Sequence, residues 1–163
     1  RETRIQNTVL VVAGREFGYP ELVHGDPLGR TRRLAASLGV PDRVRFMPGM
    51  LDFKTTAELF EIADALLLPY LQSYGSAVLL LGMTFGLHVI ATRTGGMEEY
   101  LEGYPAHTLL AGADAASLAD GIKHAMKSVI ARGRSQDCAL PHLDWRNIAK
   151  EVLQNLQEGP TTS

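Results

Sequence analysis

The residues best suited to chemistry lie between Pro69 and Glu99, in the segment PYLQSYGSAVLLLGMTFGLHVIATRTGGMEE. A strand ends at Pro69 or Tyr70, a polar loop containing Gly75 and Ser76 follows, and an apolar helix begins. The amino end of a helix leaves its first backbone N–H groups without intrahelical partners and carries the positive end of the peptide dipole. Such an end takes anions, phosphate above all. Glycine at 75 lets an oxygen approach the backbone closely, and the Ser76 hydroxyl can donate a further hydrogen bond. The dipole contributes only about 0.3–1 kcal/mol per charge, and ~2 kcal/mol when partly buried, so it orients a phosphate without holding one alone. The competing reading is that Ser76 caps its own helix and does nothing more. Gly95 and Gly96 follow the next strand and should border the same crevice, either as a ligand-facing turn or as a tight turn with no ligand.

Few other residues compete for a chemical role. His24, His88, His107, His124 and His142 show no metal-ligand spacing, and His88, at a strand entrance, reads as structural. Cys138 is the one cysteine, so the chain makes no internal disulfide and no cysteine zinc site, and a reducing cytoplasm is the expected compartment. No nucleophile–histidine–acid arrangement stands out, and the glycine patterns fit neither a P-loop nor a dinucleotide fingerprint.

The elements that must position these residues alternate regularly. Thr8–Ala13 is a solid apolar run closed by Gly14 and reads as a strand buried on both faces. Thr31, Leu34, Ala35 and Leu38 fall on one helical stripe that stops at Gly39. Arg43–Met47 is a second strand, Thr55 and Glu58 have capping-box spacing for a second helix, and Ala65–Tyr70 is a third strand. The helix over Ser76–Phe85 is apolar on nearly every side, so it should be buried, with Gly86 ending it. His88–Thr92 and His107–Leu110 are the fourth and fifth strands. Asp114 caps a helix carrying Leu118, Ile122, Met126 and Val129, and Asp144 caps the last one. This alternation predicts an α/β fold, a doubly wound parallel sheet with ligands meeting the carboxyl ends of the strands. Residues 1–157 are expected to form a single domain, with 158–163 a flexible tail.

The bulk properties agree with a globular domain. The 163 residues suffice for one core, apolar residues make up 45% and charged residues 21%. A net charge of −2 gives no reason to expect nucleic acid or an anionic membrane as partner. No apolar run approaches the roughly 20 residues that span a bilayer. The sequence opens on Arg1 without an initiator methionine, which reads as a fragment or processed piece.

Several segments together carry a resemblance. VLVVAG at 9–14, LGVPDRVRFMPGM at 38–50, AELFEIADALLLPY at 57–70, GLHVIATRTGGMEE at 86–99, LADGIKHAM at 118–126 and DWRNIAKEVL at 144–153 resemble, in order and spacing, the second domain of retaining GT-B glycosyltransferases. The resemblance implies a Rossmann-like, donor-binding carboxyl-terminal half of an enzyme that moves a sugar from a nucleotide diphosphate sugar to a glycan, lipid or small-molecule acceptor. By position it puts the nucleobase beside Gly49 and Met50, the diphosphate at Gly75, Ser76 and Ala77, and the transferred sugar near Ser73, Gly95, Gly96 and Glu99. It implies no metal or other cofactor, and catalysis through charge stabilisation of the leaving diphosphate. His24 with Asp26 is a weaker candidate for touching the acceptor.

Two departures bear on activity. The family's paired carboxylates fall, by position, on Ser73 and Leu81, neither of which is acidic. The strand–helix unit that carries the family's basic pair, and the acceptor-binding first domain, precede the point at which this sequence starts; Arg15, Arg30, Arg32 and Arg33 do not take the basic role by position. The isolated chain is therefore expected to be inactive, and any membrane association would come through the half it lacks. The rival reading is a catalytically dead relative serving as a binding or scaffold module. A third is another doubly wound domain, such as a nucleotide-sugar epimerase.

Overall fold

The structure, a computed structural model, describes residues 8–14, 26–135 and 144–158. His24, Arg15 and Cys138 lie outside the described residues. The chain divides into two compact units, Arg1–Glu58 and Leu59–Ser163.

In the first unit, strand β1 (Leu10–Gly14) pairs in parallel with β2 (Val44–Pro48), from Leu10 opposite Val44 to Gly14 opposite Pro48. Helix α1 (Pro27–Ser37) starts one turn earlier than its apolar stripe suggests. Asp26 supplies the reason: its carboxylate accepts the Gly29 N–H at 2.6 Å, and Pro27 at the first helical position fits a site that needs no N–H donor. Gly39, at φ +69°, ends the helix. Strand β1 is not buried on both faces as its composition suggests, for Leu10 and Val11 are 44% and 41% exposed. Among the described residues β1 has a partner on one edge only, and a two-stranded ladder offers little cover. Arg32 lies 5.0 Å from the centre of the Phe46 ring, and Arg33 faces Asp26 at 3.8 Å, so both have local partners.

Helix α2 (Phe53–Ile62) spans the residues at which the units divide. Its cap is Asp52 and not Thr55: the Asp52 carboxylate accepts the Thr55 N–H at 2.7 Å, and its carbonyl accepts the Thr56 hydroxyl and N–H. Thr55 thus sits at the third helical position, where the capping-box reading expected Glu58.

The second unit is a three-stranded parallel sheet in the order β3 (Ala65–Leu68), β4 (His88–Thr92), β5 (His107–Leu110). Its connections carry helices α3 (Ala77–Thr84) and α4 (Met97–Leu101), and α5 (Ala115–Arg132) and α6 (Trp145–Glu158) follow. Strand β4 is central and all five of its residues are buried. Side chains alternate across it, as a pleated strand demands. Val89 and Ala91 pack with Leu79, Met83, Met97, Leu101 and Tyr104 from α3, α4 and the turn beyond. Ile90 packs on the opposite face with Leu110, Ala125, Leu118 and Ile122, on the α5 side. Helices therefore cover both faces of this sheet, giving the Rossmann-like α/β arrangement.

Close packing here depends on two helical glycines. A Cβ at Gly82 of α3 would lie 2.5 Å from Leu66 Cδ2, and one at Gly121 of α5 would lie 2.0 Å from Leu110 Cδ2. Helix α3 is less buried than its all-round apolar composition predicts. Leu79, Gly82 and Met83 face the sheet, while Val78 and Leu80 are exposed. An outer-layer helix buries one stripe, whatever the chemistry of its other side. At the amino ends of the strands Arg134 closes two helices: Nη1 donates to Phe85 O at 3.1 Å, and Nη2 to Phe60 O at 3.0 Å, to Ala63 O at 2.8 Å and to Glu61 O. These are carbonyls that helix carboxyl ends leave without partners.

Candidate functional site

The path from β3 to α3 decides where the candidate ligand residues stand. Strand β3 stops at Leu68, residues 69–76 form a loop, and α3 opens at Ala77, so the amino end of α3 lies at the carboxyl end of the sheet. Ser76 is the cap, with its Oγ accepting the Leu79 N–H at 3.2 Å and its carbonyl accepting the N–H groups of Leu79 and Leu80. The capping role is therefore real. It still leaves the N–H groups of Ala77 and Val78 with no partner among the described residues. Gly75 and Ala77 are exposed, and only the Tyr100 ring stands within 4 Å of where a Gly75 Cβ would be. Gly75, Ser76 and Ala77 thus present an open helix start, which favours an anion.

Ser73 faces inward on its own loop, donating its hydroxyl to the Gly75 carbonyl at 3.1 Å. Gly95 and Gly96 are brought against this loop from the end of β4, for a reason composition does not reveal. Gly95 has φ +54°, and a Cβ there would lie 1.5 Å from Ser73 O and 3.4 Å from Tyr74 Cα. A Cβ at Gly96 would lie 3.1 Å from Tyr100 Cε2. Backbone contact within the protein thus requires glycine at 95, while at 96 the neighbour is a side-chain ring that can give a little. Glu98 is held by Arg93, Nη1 to Oε1 at 2.6 Å. Glu99 is exposed on α4; its carbonyl accepts the Glu102 N–H at 3.2 Å, and its carboxylate has no partner among the described residues.

Three residues outside the sequence-level candidates complete the arrangement. Thr92, the last residue of β4, is 4% exposed and donates its hydroxyl to Tyr70 O at 2.6 Å. The Tyr70 hydroxyl lies 3.4 Å from Ser76 Oγ. The Tyr100 ring packs over both Gly75 and Gly96, and its backbone N–H closes on Gly96 O at 2.9 Å. The signals available were a polar β-branched residue at a strand end and an aromatic four residues beyond a glycine pair, both too common to single out.

Gly49 and Met50 stand in the first unit, after the carboxyl end of β2. Gly49 has φ +111°, a left-handed turn that suits glycine, and Met50 is 82% exposed. His88 is buried, with Nε2 at 2.8 Å from Thr108 Oγ1, as its structural reading expects. Beside it, at the amino ends of the strands, a hollow of about 70 Å³ is lined by Pro105, Ala106, Arg134 and Ser135. That holds a few waters and falls well below the roughly 300 Å³ at which ligand sites begin. Among the described residues no group of three or more His, Cys, Asp or Glu could hold a metal ion, and no helix is long and apolar enough to cross a membrane.

Residues 1–137 match the family model for Glycosyl transferases group 1. None of the curated proteins matches the chain. Among solved structures, the chain is similar to WaaG, a glycosyltransferase involved in lipopolysaccharide biosynthesis. The identity is 29% and the TM-score 0.59, over 74% of this chain and 30% of that one. It is also similar in fold to Anabaena HepE (Alr3699) in complex with UDP, at 18% identity and a TM-score of 0.67 over 93% of this chain and 41% of that one. A third likeness is to the catalytic domain of starch synthase IV from Arabidopsis thaliana bound to ADP and acarbose. There the identity is 14% and the TM-score 0.62, over 90% of this chain and 31% of that one. The chain spans well under half the length of each of these proteins.

Proposed function

The chain belongs to the group 1 glycosyl transferases, and from that membership we propose that it is the donor-binding, carboxyl-terminal half of a retaining GT-B enzyme. That enzyme moves a sugar from a nucleoside diphosphate sugar to a glycan, lipid or small-molecule acceptor. The observation that carries the reading is the open start of α3, where the Ala77 and Val78 N–H groups meet no protein acceptor among the described residues. UDP in HepE and ADP in starch synthase IV support a nucleoside diphosphate as the ligand class. The diphosphate seats at Gly75, Ser76 and Ala77, with the sugar toward Ser73, Gly95, Gly96 and Glu99. Gly49 and Met50 keep the nucleobase role that the family likeness gives them.

The chemistry asked of these residues is electrostatic. As the bond to the sugar breaks, negative charge grows on the leaving diphosphate, and fixed N–H donors stabilise it without reorganising. The proposal invokes no metal. Acceptor binding and the transfer step are proposed of the whole protein, with this chain as its donor-binding half. A cytoplasmic location fits a chain whose one cysteine forms no internal disulfide. Titration with UDP, GDP and ADP is expected to show binding of at least one, weakened when Ser76 is replaced by phenylalanine. Failure of all three to bind would refute the assignment.

One observation favours a second reading. Ser73 and Leu81 replace the family's acids, and the Ser73 hydroxyl is turned onto Gly75 O. A non-catalytic binding module would keep nucleotide affinity while the whole protein transferred no sugar.

A further inference from the structure

We propose that Thr92 is a positioning residue that holds the 69–76 loop, and with it the start of α3, in the arrangement that receives the diphosphate. This rests on the ligand reading under Proposed function and adds a residue to which the family likeness assigned nothing.

The geometry begins at the end of the ladder. Strand β3 pairs with β4 as far as Leu68 opposite Ala91, and regular pairing then stops. Thr92 is the next residue of β4, and its Oγ1 donates to Tyr70 O at 2.6 Å, with Leu68 O farther away at 3.4 Å. A side chain thus continues the work of the backbone ladder past its end and fixes the chain where it leaves the sheet. At its other end the loop is tied again, with the Tyr70 hydroxyl 3.4 Å from Ser76 Oγ, and Ser76 in turn capping Leu79. Residues 71–75 therefore span two fixed points, and four of them, Leu71, Gln72, Tyr74 and Gly75, are exposed. Thr92 is 4% exposed, so its hydroxyl has little access to water and its bond to Tyr70 O is poorly replaced. A ligand that needs the Ala77 and Val78 N–H groups aligned benefits from a loop set before binding, since ordering it on binding lowers affinity.

The variant Thr92→Val keeps the shape of the side chain and removes the donor. Thr92→Ser keeps the donor. Amide exchange at Leu79 and Leu80, whose N–H groups close on Ser76, is expected to quicken about tenfold in T92V and to stay near wild type in T92S, with α5 unchanged in both. Affinity for whichever of UDP, GDP or ADP binds should fall about tenfold in T92V and return in T92S, while affinity for the matching nucleoside holds. Equal loss for nucleoside and diphosphate would mark a general structural role and overturn the proposal, as would wild-type exchange and affinity in T92V. Should T92V fail to fold, the wild-type chain decides the matter: the Thr92 hydroxyl proton must be visible by NMR with a cross-peak to Tyr70, and its absence overturns the clamp. A wild-type chain that binds none of the three nucleotides sinks the diphosphate reading instead, and the exchange rates still judge the clamp.

Discussion

Replacing Gly95 by alanine strikes the contact on which the candidate site depends most. At φ +54° the backbone there is left-handed, which costs an L-residue about 1–2 kcal/mol. The added Cβ would also lie 1.5 Å from Ser73 O, where real contacts begin near 3.0 Å, so the loop carbonyl must retreat by about 1.5 Å or more. The obstacle is backbone, which cannot swing aside as a side-chain tip can. Overpacking of this kind adds about 1–3 kcal/mol unless the loop yields. The total expected loss is about 2–5 kcal/mol in urea unfolding, or a fall of roughly 4–20 °C in the thermal midpoint. If the loop yields instead, stability recovers and nucleoside diphosphate affinity falls, because Ser73–Ser76 no longer presents the α3 start. Gly96→Ala is the control. Its Cβ would meet only the edge of the Tyr100 ring at 3.1 Å, so a small shift of that ring relieves it and the loss should be much smaller. An alanine at 95 that changes neither the midpoint nor the affinity would refute the reasoning, for the close approach of the two turns would then be dispensable.

Two other outcomes follow from the packing. Arg134→Leu leaves the carbonyls of Phe60, Glu61, Ala63 and Phe85 without their shared donor and should cost about 2–4 kcal/mol in chemical unfolding. Arg134→Lys should restore only part of this, since one ammonium lacks the fork that spans them. Asp52 and Asp114 are held below the ordinary carboxylate range, Asp52 chiefly by the Thr55 N–H and Asp114 chiefly by the Ser117 N–H. Their folded values are depressed, so their contribution is in place above the unfolded value near 3.8 and disappears as pH falls through the lower folded values. The double variant D52N/D114N should therefore lose less stability than wild type in thermal melts taken on the acid side of that value.

The family match gives the glycosyltransferase reading its breadth, and the open start of α3 is what supports the proposal of a donor half. The chain aligns with roughly a third of the length of WaaG and of the starch synthase IV catalytic domain, so the acceptor and the transfer step are questions for the whole protein. Ser73 illustrates the point. A carboxylate there would carry charge and accept from ligand hydroxyls with two oxygens, whereas the Ser73 hydroxyl, its proton donated to Gly75 O, is neutral and keeps only its own lone pairs for a ligand.

Local sequence determined the elements that local physics controls. His88–Thr92 and His107–Leu110 are strands with the bounds expected, because a short β-rich run between turn signals has few other options. Asp114 caps its helix as read, since a cap needs only its own next three residues, and its carboxylate takes the N–H groups of Ala116 and Ser117. The open start of α3 was legible for the same reason. What the sequence did not determine were contacts made across long separations. Nothing near Arg134 marks it as the donor for carbonyls 49 to 74 residues away. Gly95 and Gly96 are readable as a turn, but whether a ligand or the protein fills the space above them depends on where the 69–76 loop lies. Only the tertiary structure brings Ser73 O to Gly95 and the Thr92 hydroxyl to Tyr70 O, because parallel pairing of β3 with β4 sets side by side two loops whose own residues hold no record of each other.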